Sequence, residues 1–269
     1  MCGIVGYIGS KKKATAFVLS GLQTLEYRGY DSAGISTITA NGPVTIKQTG
    51  QVEALRSAIK LTIEKDTSVA IGHTRWATHG APTTQNAHPH SNEANTIFVV
   101  HNGIIENYQA LRERLIKQGY AFVSETDTEV IPHLIDFHYK QSGDAYKAFQ
   151  TAIRELEGAY AIVALFSDQP DNLFVARLSS PLVIGVGASE HMIASDPTAL
   201  LDSTKKVVFL EDYEVAKISP GKLEVHHLRK DVVVNHAIEE LDYTTAKAEL
   251  GDYPHYMIKE IHEAPQTSQ

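Results

Sequence analysis

The sequence predicts an α+β fold in which antiparallel sheets pack under layers of helices. Three observations support this prediction. Strand-like and helix-like stretches fall into separate blocks instead of alternating. The gaps between the strands after Ala159 are too short for crossover helices, which favours antiparallel pairing. The chain has 269 residues, 43% of them hydrophobic, which is enough for one large domain or two smaller ones.

The first part of the chain contains a strong hairpin signal. Asn41-Gly42 lies between two β-branched runs, the pattern of a tight two-residue turn. Before it, apolar residues recur at helical spacing, and Gly29 follows where that helix would stop. The elements predicted here are strand 2–9, helix 12–26, strands 32–40 and 43–49, helix 52–60 and strand 68–76.

Residues 77–95 have no usable period and contain Gly, Pro and Asn, so we expect a long and functional loop, such as a lid. In the next apolar run, Asn102-Gly103 is a turn signal, so we expect a bulge or a strand break there. Thr126–Glu129 has capping-box spacing, which places Asp127 in the first turn of a helix. The elements predicted here are strand 96–105, helices 108–118, 126–141 and 145–157, and strands 159–167, 172–178, 181–187, 191–195, 206–211, 213–219 and 222–228, with no strand pattern after about 234.

Composition excludes several classes of partner. The formal net charge of −8 argues against a nucleic-acid backbone or an anionic membrane, because both need basic patches. No apolar run is long enough to span a bilayer, and the N-terminus lacks the pattern of a secretory signal. A single cysteine excludes an internal disulfide and fits a reducing compartment. We therefore expect a soluble, cytoplasmic protein.

That cysteine, Cys2, directly follows Met1. If Met1 is removed, the thiol lies beside a free α-amine, whose unperturbed pKa of roughly 7.7–8 is close to the roughly 8.5 of a thiol. The amine can then act as the base that generates the nucleophilic thiolate. The alternative is a small buried hydrophobic residue at the start of a strand, which is the commoner role of a free cysteine.

Four further stretches carry residues capable of chemistry, and each has a structural alternative. An Arg28–Asp31 pair could be a weak surface ion pair. Asn102-Gly103 could be a simple turn, and Asp127 could only complement a helix dipole. The stretches are 28–32, 73–80, 101–103 and 126–129.

Several histidines raise the possibility of a zinc site. His79, His88, His90 and His101 lie in or near the long loop. However, a proline separates His88 from His90, no second closely spaced pair follows, and the spacing is not one of the usual zinc patterns. We therefore expect no metal and no cofactor.

Taken together, these stretches resemble the class II glutamine amidotransferases, and in particular the glutaminase domain of the glutamine–fructose-6-phosphate aminotransferase (glucosamine-6-phosphate synthase) family. The Cys-Gly start and the Asn-Gly pair are common to class II, whereas the Arg-Gly-Tyr-Asp-Ser and Arg-Trp-Ala-Thr-His forms are similar to the sugar-phosphate branch. The matching motifs lie at 1–6, 25–34, 73–80, 86–90, 101–107, 125–129, 180–185 and 194–196.

The resemblance implies a fold and a reaction. The fold is that of the N-terminal-nucleophile hydrolases, a four-layer αββα sandwich of two antiparallel sheets. The reaction is hydrolysis of L-glutamine to L-glutamate and ammonia through a thioester on Cys2. In the family, the ammonia serves hexosamine biosynthesis by converting fructose 6-phosphate to glucosamine 6-phosphate.

The resemblance also implies roles for individual residues. Cys2 is the nucleophile, while the Asn102 side chain and the Gly103 N–H form the oxyanion hole. Arg75 binds the α-carboxylate of glutamine and Asp127 binds its α-ammonium group, which gives a zwitterion one cation and one anion. The remaining residues implied are Trp76, Thr78 and His79 in a closing loop and Arg28 in support of the nucleophile.

The end of the chain differs from the whole family enzyme. Residues 2–240 are expected to form the glutaminase domain, and 241–269 resemble the start of a linker to sugar-isomerase domains that bind fructose 6-phosphate and are absent from this chain. Ala264 stands where the family usually has glutamine. Two alternatives remain at this point: a regulatory module that senses glutamine without turnover, and a metal-dependent hydrolase built on the histidines.

Overall fold

The computed structural model describes residues 2–63, 67–77, 80–242, 258 and 261–262. Most of the segment expected to be a linker, 241–269, lies outside the described residues. The elements are β1 Gly3–Gly9, α1 Ala14–Thr24, β2 Ser32–Thr39, β3 Gly42–Thr49, α2 Val52–Thr62, β4 Val69–Arg75, β5 His90–Ser91, β6 Ile97–Ile105, α3 Tyr108–Lys117, α4 Val130–Ser142, α5 Ala145–Arg154, β7 Gly158–Phe166, β8 Leu173–Leu178, β9 Val183–Val186, β10 Glu190–Ala194, β11 Lys206–Phe209, β12 Glu214–Ser219, β13 Lys222–His227, β14 Val232–Val234 and β15 Glu239–Glu240.

The strands form two sheets in which the neighbouring strands run antiparallel. One sheet has eight strands in the order β15-β11-β9-β10-β1-β4-β2-β3, and the other has seven in the order β14-β13-β12-β8-β7-β6-β5. The strand that follows Cys2, β1, therefore lies in the middle of the first sheet, while β6 with Asn102 lies near one edge of the second.

Three apolar layers show how the sheets are stacked. Alternate residues of β1 face opposite sides: Val5 and Tyr7 pack with α1 and α2, whereas Ile4 and Ile8 pack against the second sheet. The far face of the second sheet packs against α3, α4 and α5. The order helix, sheet, sheet, helix is the αββα sandwich, so the predicted fold class is confirmed.

Most of the predicted elements are present, with ends shifted by a few residues. The predicted hairpin joins β2 to β3, but its two-residue turn is Ala40-Asn41, one residue earlier than predicted, and Gly42 already pairs with Thr39. Three short strands were not predicted as such: β5 lies inside the long loop, β14 follows the last predicted strand, and β15 lies after residue 234. These strands have two or three residues, too few to show a period.

The capping box predicted at 126–129 is wrong. Helix α4 begins at Val130 without a side-chain cap, and Asp127 lies in the bend before it instead of in its first turn. The Glu129 carboxylate accepts hydrogen bonds from the N–H groups of Val123 and Ser124, at 2.9 and 2.7 Å, so it fixes the preceding loop. Asp127 is thereby held outside the helix, where its carboxylate is available to other elements.

The expected bulge or break at Asn102-Gly103 is also wrong. The β6–β7 ladder runs in one register from Ile97 to Ile105, with Asn102 opposite Ala161 and Gly103 opposite Tyr160. Gly103 has φ +126°, a conformation open to glycine because it lacks a Cβ. A Cβ there would lie 1.9 Å from the Ala159 carbonyl oxygen. Glycine at this position allows β6 and β7 to approach closely. The preference of Asn-Gly for turns does not indicate this role.

Glu129 makes the stability of the fold depend on pH. Burial raises the pKa of this carboxyl, but the neighbouring His133 ring and hydrogen bonds from the Ser124 hydroxyl and from backbone N–H groups outweigh it and lower the pKa to about 2. A carboxyl with a depressed folded-state pKa stabilises the fold above its unfolded pKa. We expect this contribution, on the order of 3 kcal/mol, to be lost as the pH falls from about 5 to about 2.

Denaturant unfolding between pH 7 and pH 3 checks this expectation. Glu129→Gln should lower the free energy of unfolding at pH 7 and flatten its decline toward acid, whereas the matched change at exposed Glu93 should do neither. An unchanged pH slope in Glu129→Gln would assign the acid sensitivity to other carboxyls.

Candidate functional site

The pairing of β1 with β4 positions the thiol. Gly3 lies opposite Thr74, so Cys2, just before β1, lies near Trp76, just past the end of β4. The Trp76 N–H donates to Cys2 Sγ at 3.2 Å, and Sγ lies 3.7 Å from the Trp76 carbonyl oxygen. Within residues 2–63, 67–77 and 80–242, these are the hydrogen-bond contacts of Sγ.

The surroundings of Cys2 favour the neutral thiol. Burial raises the pKa of this group, while the Trp76 N–H and the charge of Arg75 act in the opposite direction and only partly offset the burial. A thiol in this setting needs a base before it can attack a substrate. The pairing of β1 with β4 therefore positions the Cys2 thiol, but another group must remove its proton.

The second sheet brings an amide to the same point. Asn102 on β6 donates from Nδ2 to the Cys2 carbonyl oxygen at 2.9 Å, and its Oδ1 lies 3.0 Å from Nε2 of His73 on β4. The predicted pair Cys2 and Asn102 is thus brought together although 100 residues separate them in sequence. Gly103 follows Asn102 and lines the same cleft.

Arg75 and Asp127, the two charged residues predicted to bind substrate, also line this cleft and are almost completely buried, with 4% and 6% of their surface exposed. The Arg75 guanidinium donates to the carbonyl oxygens of Gly80 and Ala81, both at 3.2 Å. One Asp127 oxygen accepts from the Ile105 N–H at 2.8 Å. A cation and an anion therefore face one small cavity that also contains the thiol.

Trp76 lies at the mouth of the cleft with 46% of its surface exposed. Its ring meets the half-exposed ring of Tyr30 edge to face at 5.6 Å between centroids. The next residue, Ala77, donates its N–H to the Asp31 carboxylate at 2.8 Å. Thr78 and His79 of the predicted closing loop lie outside the described residues.

Arg28 does not line the cleft formed by the described residues. Its guanidinium pairs with Asp196, not with Asp31, and lies over the ring of Tyr27. Ser195, the residue before Asp196, makes two hydrogen bonds to Ile4 of β1. The Ser195 hydroxyl accepts from the Ile4 N–H, and the Ser195 N–H donates to the Ile4 carbonyl oxygen, both at 3.0 Å. Arg28 thus contacts the segment that holds the strand behind Cys2.

The histidines form a hydrogen-bonded cluster. His73 and His88 lie 3.1 Å apart at their Nδ1 atoms, and His88 Nε2 and His101 Nδ1 both lie 3.0 Å from the Thr128 hydroxyl. His90 reaches the hydroxyl of Thr126 at 3.1 Å. Among the described residues, no three His, Cys, Asp or Glu side chains converge in a geometry suited to a metal ion.

Sequence reasoning did not single out Thr126, Thr128, His73 or Ser195 as individual site residues. Each lies inside or beside a motif that was noted, but a hydroxyl in a strand or bend has no spacing signal of its own. Their positions follow from the packing of the two sheets.

In the part of the chain described, no helix is long and apolar enough to cross a membrane.

Comparison with known proteins shows the family to which the chain is similar. The family model described as a glutamine amidotransferase domain matches residues 42–246. The chain is 48% identical over 266 residues to glutamine–fructose-6-phosphate aminotransferase (isomerizing) of Clostridium tetani and 46% identical to that of Pyrococcus horikoshii. Each alignment covers 98% of this chain, which spans 43% and 44% of the length of these two relatives.

Solved structures show the same fold. Glutamine phosphoribosylpyrophosphate amidotransferase of B. subtilis, complexed with ADP and GMP, superposes with a TM-score of 0.71 at 26% identity, over 84% of this chain and 49% of that one. The structure of the allosteric regulatory enzyme of purine biosynthesis superposes with the same TM-score, at 27% identity over 84% of this chain and 49% of that one. With a family match across most of the chain and relatives of this identity, the chain belongs to the glutamine amidotransferase domain family.

Proposed function

We propose that this domain hydrolyses L-glutamine to L-glutamate and ammonia through a thioester on Cys2. The observation that carries the proposal is the hydrogen bond from Asn102 Nδ2 to the Cys2 carbonyl oxygen, because it holds an amide donor beside the sulfur. Acyl transfer needs such a donor where negative charge develops, and losing one typically costs about 10²–10³ in rate.

The steps follow from the groups in the cleft. After removal of Met1, the Cys2 α-amine takes the thiol proton, and the thiolate attacks the side-chain amide carbon of glutamine. The C=O becomes an oxyanion, which Asn102 Nδ2 and the Gly103 N–H stabilise. Collapse of this intermediate breaks the C–N bond, and the protonated α-amine returns the proton to the leaving ammonia. Water then cleaves the thioester and releases glutamate.

The direction of the Gly103 N–H supports its assignment. N–H groups of alternate residues in a strand point to the same edge. The Ile105 N–H points to Asp127, and the His101 carbonyl oxygen, two residues before Gly103, points to His73. Both directions lead away from β7 and into the cleft, so the Gly103 N–H shares that edge.

Arg75 and Asp127 would recognise the charged end of glutamine. The guanidinium suits the α-carboxylate, and the carboxylate suits the α-ammonium group. Trp76, with Thr78 and His79, would close over the substrate and exclude water. Arg28 would act indirectly, through Asp196 and the segment that brackets β1.

The relatives' names suggest the fate of the ammonia. We propose that residues 2–240 form the glutaminase domain and that 241–269 lead toward sugar-isomerase domains of a longer enzyme. There the ammonia would convert fructose 6-phosphate to glucosamine 6-phosphate. A cytoplasmic location is proposed with it, since the nucleophile requires a reduced thiol.

Glutamate production from glutamine tests the reaction. Purified protein with Met1 removed should release glutamate and ammonia in equal amounts, and Cys2→Ala should reduce the rate to background. Mass spectrometry should show one glutamine-analogue electrophile bound at Cys2. Ammonia at background level, combined with a glutamine-dependent rise in melting temperature, would instead support the non-catalytic glutamine sensor.

Asp127→Asn tests substrate recognition. The amide oxygen of Asn can still accept from the Ile105 N–H, so the local structure should persist while the negative charge is lost. We expect KM for glutamine to rise on the order of 10- to 100-fold, the effect of losing one charge-assisted hydrogen bond.

Steady-state kinetics should be compared with those of Asp171→Asn, the same change at an exposed carboxylate. An unchanged KM in Asp127→Asn would remove Asp127 from the binding site.

A further inference from the structure

The side-chain amide of Asn102 is held from both sides. Its Nδ2 faces the Cys2 carbonyl oxygen at 2.9 Å, and its Oδ1 faces His73 Nε2 at 3.0 Å. An amide rotated by half a turn would present an oxygen to the Cys2 carbonyl and to the position of the oxyanion. Asn102 can therefore donate a hydrogen bond to the proposed oxyanion in only one of the two orientations of its amide.

The tautomer of His73 follows from a backbone group. Nε2 lies 3.1 Å from the His101 carbonyl oxygen, which can only accept a hydrogen bond. Nε2 must therefore carry the hydrogen, and it offers that hydrogen to Asn102 Oδ1 as well. Burial lowers the pKa of His73 to about 3, so the ring is neutral and its Nδ1 is an acceptor.

The next two groups are then determined in turn. His88 Nδ1 lies 3.1 Å from His73 Nδ1, and since the latter accepts, His88 Nδ1 must donate. Burial also lowers the pKa of His88 well below its usual value, which leaves Nε2 as an acceptor. The Thr128 hydroxyl, 3.0 Å away, gives its single hydrogen to Nε2. Its oxygen is then left to accept from His101 Nδ1 at 3.0 Å.

We propose that His101, Thr128, His88 and His73 form a one-way hydrogen-bond relay that holds the Asn102 amide with its NH2 group toward Cys2. These four are positioning residues, because they act through Asn102 rather than on the substrate. All four are at least 94% buried, so bulk water has little access to their polar atoms. The catalytic consequence of the relay rests on the proposed glutaminase function, whereas its hydrogen-bond directions do not.

The directions are tested first, on the full chain without substrate. Long-range proton–nitrogen NMR of isotope-labelled histidine distinguishes the two neutral tautomers, and single His→Gln variants assign the signals. We expect His73 with hydrogen on Nε2 and His88 and His101 with hydrogen on Nδ1. His88 with hydrogen on Nε2, or a cationic ring at neutral pH, would overturn the relay.

The catalytic consequence is tested at Thr128. Thr128→Val keeps the shape but removes the hydroxyl, so His88 Nε2 loses its donor and the relay holds the His73 side of the amide less firmly. We expect kcat to fall at least about 10-fold, toward the roughly 10²–10³ lost with a whole oxyanion donor, while KM stays within about twofold. Thr128→Ser keeps the hydroxyl and should restore most of kcat.

Thr15→Val is the matched control, because it removes a buried hydroxyl hydrogen-bonded to Thr67, close to the start of α1. It should lower the melting temperature without changing kcat. Wild-type kcat in Thr128→Val, with active wild-type protein, would overturn the catalytic role of the relay. Inactive wild-type protein with the expected tautomers would instead overturn the proposed function and leave the relay in place. Should Thr128→Val fail to fold, the tautomers and Thr128→Ser decide.

Discussion

The hydrogen bond between the Asn102 amide and the Cys2 carbonyl is the contact on which the candidate site depends, because it joins the two sheets at the thiol. Cys2 precedes a central strand of the eight-stranded sheet, and Asn102 lies on a strand of the other. The Cys2 thiol and the Asn102 amide are therefore carried by different sheets. The apolar layer between the sheets, which includes Ile4 and Val100, holds them close enough to combine the two.

Burial has opposite effects on the groups of this site. It keeps the histidines neutral, so that each ring has one donor and one acceptor and can transmit a direction. It also raises the pKa of the Cys2 thiol, which makes thiolate formation unfavourable without a base. A histidine in contact with Cys2 would therefore be a poor base in this interior. In the proposed mechanism the α-amine of Cys2 is the base instead, because its unperturbed pKa of roughly 7.7–8 lies close to that of a thiol.

The sequence was informative where one short pattern controls one local structure. The hairpin between β2 and β3 and the period of α1 are local, and both were predicted, the turn with a shift of one residue. Asp127 was misplaced because capping-box spacing cannot show that Glu129 accepts from the N–H groups of Val123 and Ser124 instead of from the N–H of an N-cap residue. The turn signal at Asn102-Gly103 failed for a related reason, as the strand opposite, not the dipeptide, requires the glycine.

The candidate residues themselves came from motif resemblance, and the structure shows why pattern alone could not assemble them. Thr128 has no periodicity to mark it, and its position against two histidines is created by β4, β6 and the bend before α4. Long-range contacts of this kind depend on sheet order, which neighbouring residues do not encode. Residues with reactive or charged side chains could be proposed from the sequence, but the residues that hydrogen-bond to them could not.

Arg75 shows how recognition and closure can be coupled by one side chain. Its guanidinium holds the carbonyl oxygens of Gly80 and Ala81 and at the same time lines the cleft that contains Cys2. A carboxylate bound in the cleft would strengthen the placement of the guanidinium, and the guanidinium in turn would strengthen the placement of residues 80–81. Under the proposed function, binding free energy from the charged end of glutamine would be used to position residues 80–81 beside the cleft.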